Sequence, residues 1–197
     1  LPRRLTRVPG KAASMNVTPL VLPEVRLLVP ERREDARGWV SATWERSRLA
    51  AAGIEADFLQ DNQVNSRRAG TVRGLHFQAA PFAQAKLMRV LRGAAFDVAV
   101  DIRPGSPTFG QWVGARLTAE GGEQLLVPRG FAHGYQTLTD GCELAYKVDG
   151  DYAPQTEGSL LWNDPEVAIA WPWDGEVILS DKDRVAPRLK DMPAASF

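Results

Sequence analysis

Two histidines, His76 and His133, are the side chains of this 197-residue chain best suited to chemistry, and the sequence contains no third. His76 lies in RGLHFQ (residues 73–78), which begins with Arg73, and Lys86 follows ten residues later. His133 ends the segment PRGFAH. A neutral imidazole is well matched to accepting a proton near pH 7, and arginine and lysine hold phosphates and developing oxyanions. This combination predicts proton transfer on an anionic substrate.

The elements that must position these residues have the pattern of β-strands. In residues 96–102, Phe96, Val98, Val100 and Ile102 recur at every second position and share one face of a predicted strand. Further short strands are predicted at 86–91, 112–118, 124–127 and 143–148. Turn residues separate these strands every 8–12 residues or so, which is typical of a sandwich or barrel and not of alternating strands and helices.

Helical signals are few. Residues 43–52 have the pattern of a helix that ends at Gly53. A second, short helix is predicted at 164–167, starting at Asn163 or Asp164 before Pro165. The predicted fold is therefore all-β, a jelly-roll sandwich or barrel with a few short helices. We expect it to form a single domain over residues 15–197.

Composition limits the class of protein. Apolar residues make up 44 % and charged residues 24 %, which are ordinary globular values. The 24 basic and 24 acidic residues balance, so nucleic acid is not an expected partner, and no apolar run is long enough to span a membrane. The one cysteine, Cys142, cannot form an internal disulfide, which fits a cytoplasmic location.

The first 14 residues carry basic side chains but neither an acidic residue nor an apolar core, so they do not have the pattern of a secretory signal. Because Met15 precedes a segment that reads as a natural start, we interpret residues 1–14 as a tag or a disordered upstream extension. An Arg-rich organelle transit peptide is the alternative.

A jelly roll of this kind is similar to the cupins, which usually hold a metal. A metal-binding cupin needs His-x-His, a glutamate and a further histidine, but Phe77 and Gln78 follow His76 here. The two histidines would bind a metal only with two carboxylates added. We therefore expect no metal, with chemistry performed by protein groups alone.

Eight segments together resemble one family closely. They are residues 60–62, 70–78, 97–103, 105–110, 128–134, 146–147, 162–165 and 180–183. Their sequences, order and spacing are similar to those of the dTDP-4-dehydrorhamnose 3,5-epimerases, over about residues 15–190. The resemblance implies cofactor-free inversion at C3 and C5 of a nucleotide-linked 4-keto-6-deoxyhexose.

The resemblance also implies catalytic roles for four residues. His76 matches the base that removes protons beside the C4 ketone, and Asp183 the carboxylate that fixes its tautomer. Tyr146 matches the acid that returns a proton to the opposite face, although from its strand pattern alone it reads as a core aromatic residue. Lys86 matches a donor to the C4 oxygen.

Substrate-binding roles are implied in the same way. Arg73, Lys182 and Arg37 match diphosphate ligands, and Arg37 belongs to a segment that reaches the neighbouring subunit's pocket in the family, which implies a homodimer. The other implied contacts are His133 at the sugar, Gln60 and Asn62 at the nucleotide, Glu157 at the substrate and Tyr152 stacked on thymine.

Two positions depart from the family pattern. Ala42 stands where a glutamate commonly binds the base, which leaves the base open, and Asp151 precedes Tyr152 where the family favours a second tyrosine. Asp151 would repel a nearby phosphate unless it points to solvent. Three alternatives therefore stay open: an epimerase acting at C3 alone or on another nucleotide sugar, a non-catalytic sugar-nucleotide-binding cupin, and a metal-dependent cupin oxygenase or isomerase.

Overall fold

A computed structural model describes residues 14–197 of the chain, so the interpretation of residues 1–14 falls outside the described residues except at Ser14. The described strands, in chain order, are β1 (Met15–Pro19), β2 (Arg26–Pro30), β3 (Arg33–Asp35), β4 (Gly38–Val40), β5 (Gln60–Ser66), β6 (Val72–Gln78), β7 (Lys86–Arg92), β8 (Ala94–Asp101), β9 (Trp112–Thr118), β10 (Gln124–Val127), β11 (Phe131–Thr137), β12 (Cys142–Val148) and β13 (Glu157–Ser159). Two short α-helices accompany them, α1 (Arg46–Ala51) and α2 (Asp181–Arg184).

The strands form two facing antiparallel sheets. The larger sheet has the order β1-β2-β10-β7-β12-β5, the smaller has β13-β6-β11-β8-β9, and β3 and β4 form a separate hairpin. Side chains from both sheets meet in one core, where Met88 and Leu144 of the larger sheet cluster with Ala99, Leu117 and Phe131 of the smaller. The prediction of an all-β, cupin-type jelly roll with a few short helices is confirmed.

Strand β8 shows how the smaller sheet is buried on both faces. Val98 and Val100 pack with Leu160 and with side chains of the C-terminal segment outside the sandwich, as the predicted alternation requires. Ala95 and Ala99 point into the core between the sheets. Because β8 is covered on both faces, a polar side chain on this strand needs a hydrogen-bond partner or a balancing charge within the protein.

The helix predicted at residues 43–52 is present but shorter, since α1 begins at Arg46. Gly53 follows it with φ +69°, the conformation that ends helices and favours glycine. The helix predicted at 164–167 is wrong. The buried Asp164 carboxylate instead accepts hydrogen bonds from the main-chain N–H groups of Glu166 and Leu189 and closes a turn.

A strap formed by residues 176–184 crosses the end of β6. Ile178 forms a parallel bridge with Thr71, through hydrogen bonds from Ile178 N to Gly70 O (3.0 Å) and from Val72 N to Ile178 O (2.9 Å). The strap then continues into α2, where the Ser180 hydroxyl caps the helix by accepting from Asp183 N. Within residues 14–197, none of the helices is long and apolar enough to span a membrane.

Candidate active site

A cavity of about 430 Å³ opens between the two sheets, and the strap closes one side of it. Its polar lining residues are Thr71 just before β6, Arg73 and His76 from β6, Lys86 from β7, His133 and Tyr135 from β11, Tyr146 from β12, and Ser180, Lys182 and Asp183 from the strap. Seven residues predicted from the sequence therefore meet in one cavity. Val64 and Met88 add apolar surface.

His76, which is partly exposed, is paired with the buried Asp183. The distance between His76 Nε2 and Asp183 Oδ1 is 2.6 Å, and Asp183 Oδ2 accepts from Gly74 N at 3.3 Å. Because Nε2 carries the proton shared with the carboxylate, the lone pair is left on Nδ1. Burial lowers the pKa of His76, and the Asp183 carboxylate offsets part of that shift. The imidazole is therefore neutral near pH 7, the state in which it accepts a proton.

Tyr146 lies across the cavity from His76, because β12 belongs to the larger sheet and β6 to the smaller. Burial raises the pKa of Tyr146, so its phenol keeps its proton at neutral pH. The cavity thus has a proton acceptor on one sheet and a proton donor on the facing sheet.

Lys86 also extends from the larger sheet, and its ammonium group donates to the main-chain oxygen of His76 at 3.5 Å. Burial lowers the pKa of Lys86 to about 8, with Asp97 and Glu157 opposing the shift. At pH 7 the lysine is a cation next to the imidazole, where it can stabilise a developing oxyanion.

His133 has a carboxylate partner of its own. It is paired with His76 across β6 and β11, and its Nε2 lies 2.5 Å from Asp97 Oδ1, with both side chains buried. Asp97 was not among the residues predicted for the site. A signal was present, because an acidic residue between the apolar positions of a strand is rarely buried without a partner.

Arg73 and the strap lysine provide positive charge at the cavity. The Arg73 guanidinium donates to Ser66 Oγ (3.2 Å) and to the main-chain oxygen of Asn65 (3.1 Å). Lys182 Nζ lies 2.6 Å from Glu157 Oε1. The other carboxylate oxygen, Glu157 Oε2, accepts from the Tyr152 hydroxyl at 3.1 Å, which joins two residues outside the cavity lining to it.

Gln60 and Asn62 lie on the edge strand β5 and do not line the cavity. Asn62 is directly opposite Tyr146 in the register of β5 and β12, and the Gln60 side chain donates to it at 2.7 Å. Both share the face of β5 that carries Val64, a lining residue. They extend the cavity face along the sheet.

Arg37 is not brought to this chain's own cavity. It lies in the β3–β4 hairpin, its side chain is 90 % exposed, and it is paired with Asp35. The two positions that depart from the family pattern are also outside the cavity lining. The Asp151 side chain is exposed to solvent, the orientation in which its charge does not oppose a bound phosphate.

Histidine, cysteine, aspartate and glutamate side chains within residues 14–197 form no group of three or more that could hold a metal ion. The expectation of metal-free chemistry stays a prediction.

Comparisons with known proteins agree with these observations. Residues 19–191 match the family described as dTDP-4-dehydrorhamnose 3,5-epimerase. A protein of that name from Sinorhizobium fredii is 46 % identical over 180 residues, covering 89 % of this chain and 90 % of the relative. A dTDP-4-dehydrorhamnose 3-epimerase from Streptomyces niveus is 40 % identical over 173 residues, covering 87 % and 83 %.

Solved structures give the same result. The dTDP-6-deoxy-D-glucose-3,5-epimerase of Legionella pneumophila, in complex with dTDP-4-keto-L-rhamnose, superposes with a TM-score of 0.87 at 42 % identity. The match covers 91 % of this chain and 95 % of that one.

Proposed function

The chain belongs to the dTDP-4-dehydrorhamnose 3,5-epimerase family, and we propose that it inverts C3 and C5 of dTDP-4-dehydro-6-deoxy-D-glucose to give dTDP-4-dehydro-L-rhamnose. The enzyme is an isomerase, and it uses no cofactor. The observation that carries this proposal is the location of His76 and Tyr146 on facing sheets of one cavity. Inversion requires a proton to leave one face of the sugar and another to arrive at the opposite face.

Proton removal is the first step. The C4 ketone acidifies the hydrogens on C3 and C5, because the carbanion formed at either carbon delocalises onto oxygen as an enolate. His76 Nδ1 takes the proton, and Asp183 holds the tautomer and stabilises the imidazolium. Lys86 donates to the C4 oxygen as negative charge develops there, an interaction typically worth about 3 kcal/mol of barrier.

Proton return completes each inversion. Tyr146 donates its phenolic proton to the enolate carbon from the side opposite His76. A phenol is a weak acid, but an enolate carbon is basic enough to accept from it. Solvent then restores the protonation states of the tyrosine and the imidazole.

The nucleotide portion is held by the cationic and polar residues around the cavity. In this proposal Arg73 and Lys182 bind the diphosphate, His133 contacts the hexose, and Glu157 contacts the substrate. The remaining assigned contacts are Gln60 and Asn62 at the nucleoside and Tyr152 stacked on the base. Tyr152 is 61 % exposed, which leaves its ring available for stacking. A cytoplasmic location, expected from the single cysteine, stays a prediction.

Deuterium incorporation tests the function directly. Incubating the protein with dTDP-4-dehydro-6-deoxy-D-glucose in D₂O should place deuterium at both C3 and C5, as read by NMR, and a chelator should leave the rate unchanged. Uptake at C3 alone would instead favour the second candidate, a 3-epimerase such as the Streptomyces niveus relative is named. No uptake at either carbon would reject both and favour a binding protein.

The pH dependence of kcat/KM should be bell-shaped. Below the lowered pKa of His76 the imidazole is protonated and accepts nothing, so activity falls at acid pH. Above the Lys86 pKa of about 8 the ammonium loses the proton that it donates to the C4 oxygen, so activity falls again. Lys86→Arg keeps its charge at every accessible pH and should lose the alkaline limb while reaching a lower plateau. An alkaline limb unchanged in that variant would contradict the assignment.

A homodimer is proposed from the β3–β4 hairpin. Besides Arg37, this hairpin exposes Trp39 (54 %) and Val40 (69 %) to solvent, and its own chain's cavity does not use it. If Arg37 completes the partner's site, a mixture of two inactive variants should regain activity. Equal amounts of Arg37→Ala and His76→Asn, unfolded and refolded together, form hybrid dimers with one intact site, giving about a quarter of wild-type activity. No recovery despite a dimeric mass by light scattering would reject the shared site.

A further inference from the structure

Asp97 is a fully buried charged residue of β8, and the mechanism described above leaves it without a role. Its relative exposure is 0 %, and it lies on β8 opposite Tyr135 of β11. One carboxylate oxygen, Oδ1, is bound to His133 Nε2. The other, Oδ2, is buried and has no hydrogen-bond partner among the described residues. An isolated buried carboxylate oxygen is costly unless a positive charge balances it.

Lys86 is a cation placed to balance the charge of this carboxylate. It projects toward the cavity from the larger sheet, opposite the sheet that carries Asp97. The hydrogen-bond acceptor of its ammonium group among the described residues is the main-chain oxygen of His76. Asp97 thus acts on Lys86 through space and does not occupy the N–H groups of the ammonium, which stay available for a substrate oxygen.

Two other ionisable groups near Lys86 offer it less negative charge than Asp97 does. His76 on β6 is neutral near pH 7, as described above. Glu157 on β13 also raises the pKa of Lys86, but its carboxylate is already shared between Lys182 at 2.6 Å and the Tyr152 hydroxyl at 3.1 Å. Asp97 is the largest of the influences that oppose the loss of the Lys86 proton.

We propose that Asp97 is a positioning residue whose single buried carboxylate orients His133 and supplies the negative charge that keeps Lys86 protonated. The inference rests on the proposed function for the use of the Lys86 proton, but the charge of Lys86 itself can be measured without substrate. Removing the negative charge at residue 97 favours the neutral amine, so Lys86 loses its proton at a lower pH.

The test is the pH dependence of Lys86 acetylation by acetic anhydride, read by mass spectrometry. In the wild type the reactivity of Lys86 should rise with a midpoint near pH 8. In Asp97→Asn, which preserves size and the oxygen facing His133, the midpoint should fall by about one pH unit. The alkaline limb of kcat/KM should move by the same amount, so that, relative to the wild type, the variant loses about fourfold more activity at pH 8 than at pH 6.5.

Asp101→Asn is the matched control. Asp101 is a second fully buried aspartate on β8, but its carboxylate binds Arg103, Ser106 and Thr108 outside the cavity. This control should lose stability and leave the Lys86 midpoint near 8. Equal midpoints in Asp97→Asn and the wild type would overturn the inference, and so would an equal shift in both variants.

The folding stability of the variants is a second test of the inference. If Asp97→Asn alone does not fold, the double variant Asp97→Asn/Lys86→Met is expected to fold, because neither buried charge is left without its counterpart. A double variant no more stable to urea than the single one would also overturn the inference. A shifted Lys86 midpoint in a protein that never exchanges deuterium into the sugar would sustain the role of Asp97 and reject the proposed function.

Discussion

His76→Asn should lower kcat by roughly 10³-fold or more and abolish deuterium uptake at both C3 and C5, while leaving the affinity for dTDP nearly unchanged. A positioned general base contributes about 10²–10⁴-fold to a rate, and here the same imidazole serves both carbons. Asparagine preserves a hydrogen bond to Asp183, so the strap should stay in place. Steady-state kinetics, NMR of the sugar in D₂O and calorimetric titration with dTDP supply the three measurements.

His133→Asn is the matched control for that experiment. It makes the same replacement at the residue paired with His76 across β6 and β11, in the same cavity. Because His133 is assigned to binding, its loss should raise KM by about tenfold and leave deuterium uptake at both carbons detectable. Retained uptake at one carbon in His76→Asn would show that a second base serves that position.

Tyr146→Phe should uncouple exchange from inversion. Without the phenol the enolate still forms, but the proton that returns comes from His76, on the face from which it left. We expect kcat for epimerisation to fall by roughly 10²–10³-fold while the substrate is recovered deuterated and with its configuration retained. NMR coupling constants distinguish the retained from the inverted sugar in the same sample that reports deuterium.

Tyr135→Phe is the control for the removal of a phenol. Tyr135 also lines the cavity, but it belongs to the same sheet as His76 and so lies on the wrong side to complete an inversion. Burial strongly raises its pKa. The positive charge of Arg73 offsets part of that shift. In Tyr135→Phe the ratio of deuterium exchange to epimerisation should therefore equal that of the wild type. A parallel loss of exchange and turnover in Tyr146→Phe would count against that tyrosine as the acid.

The parts of the fold that could be predicted are those in which burial dictates the sequence. Strands β9 and β10 have the predicted bounds, and β8 has the predicted alternation, because their side chains pack in the core or beneath the C-terminal segment. Strand β5 was not predicted. Its sequence, QDNQVNS, is mostly polar because it is an edge strand with exposed positions, and it is ordered by its partner β12.

The site was predictable to a similar degree. The resemblance to the family named residues that the structure brings together in one cavity, including the pair His76 and Asp183, which are 107 residues apart. Asp97 was missed because its place between apolar residues signals burial but not the groups that balance it, which are His133 on β11 and, in our proposal, Lys86 on β7. No local pattern encodes such an arrangement, since it exists only once the two sheets have packed.

Asp183 lies on the strap and not in either sheet, so the sandwich can form before the proposed catalytic pair is complete. Both sheets are made of residues 15–159, whereas the carboxylate that orients the imidazole arrives with the chain's final fifth. A molecule cleaved between Leu160 and Ile178 would retain every strand yet lack the partner of its base. Under the proposed mechanism, turnover therefore requires the strap to be docked beside β6, a step that circular dichroism of the strands would not register.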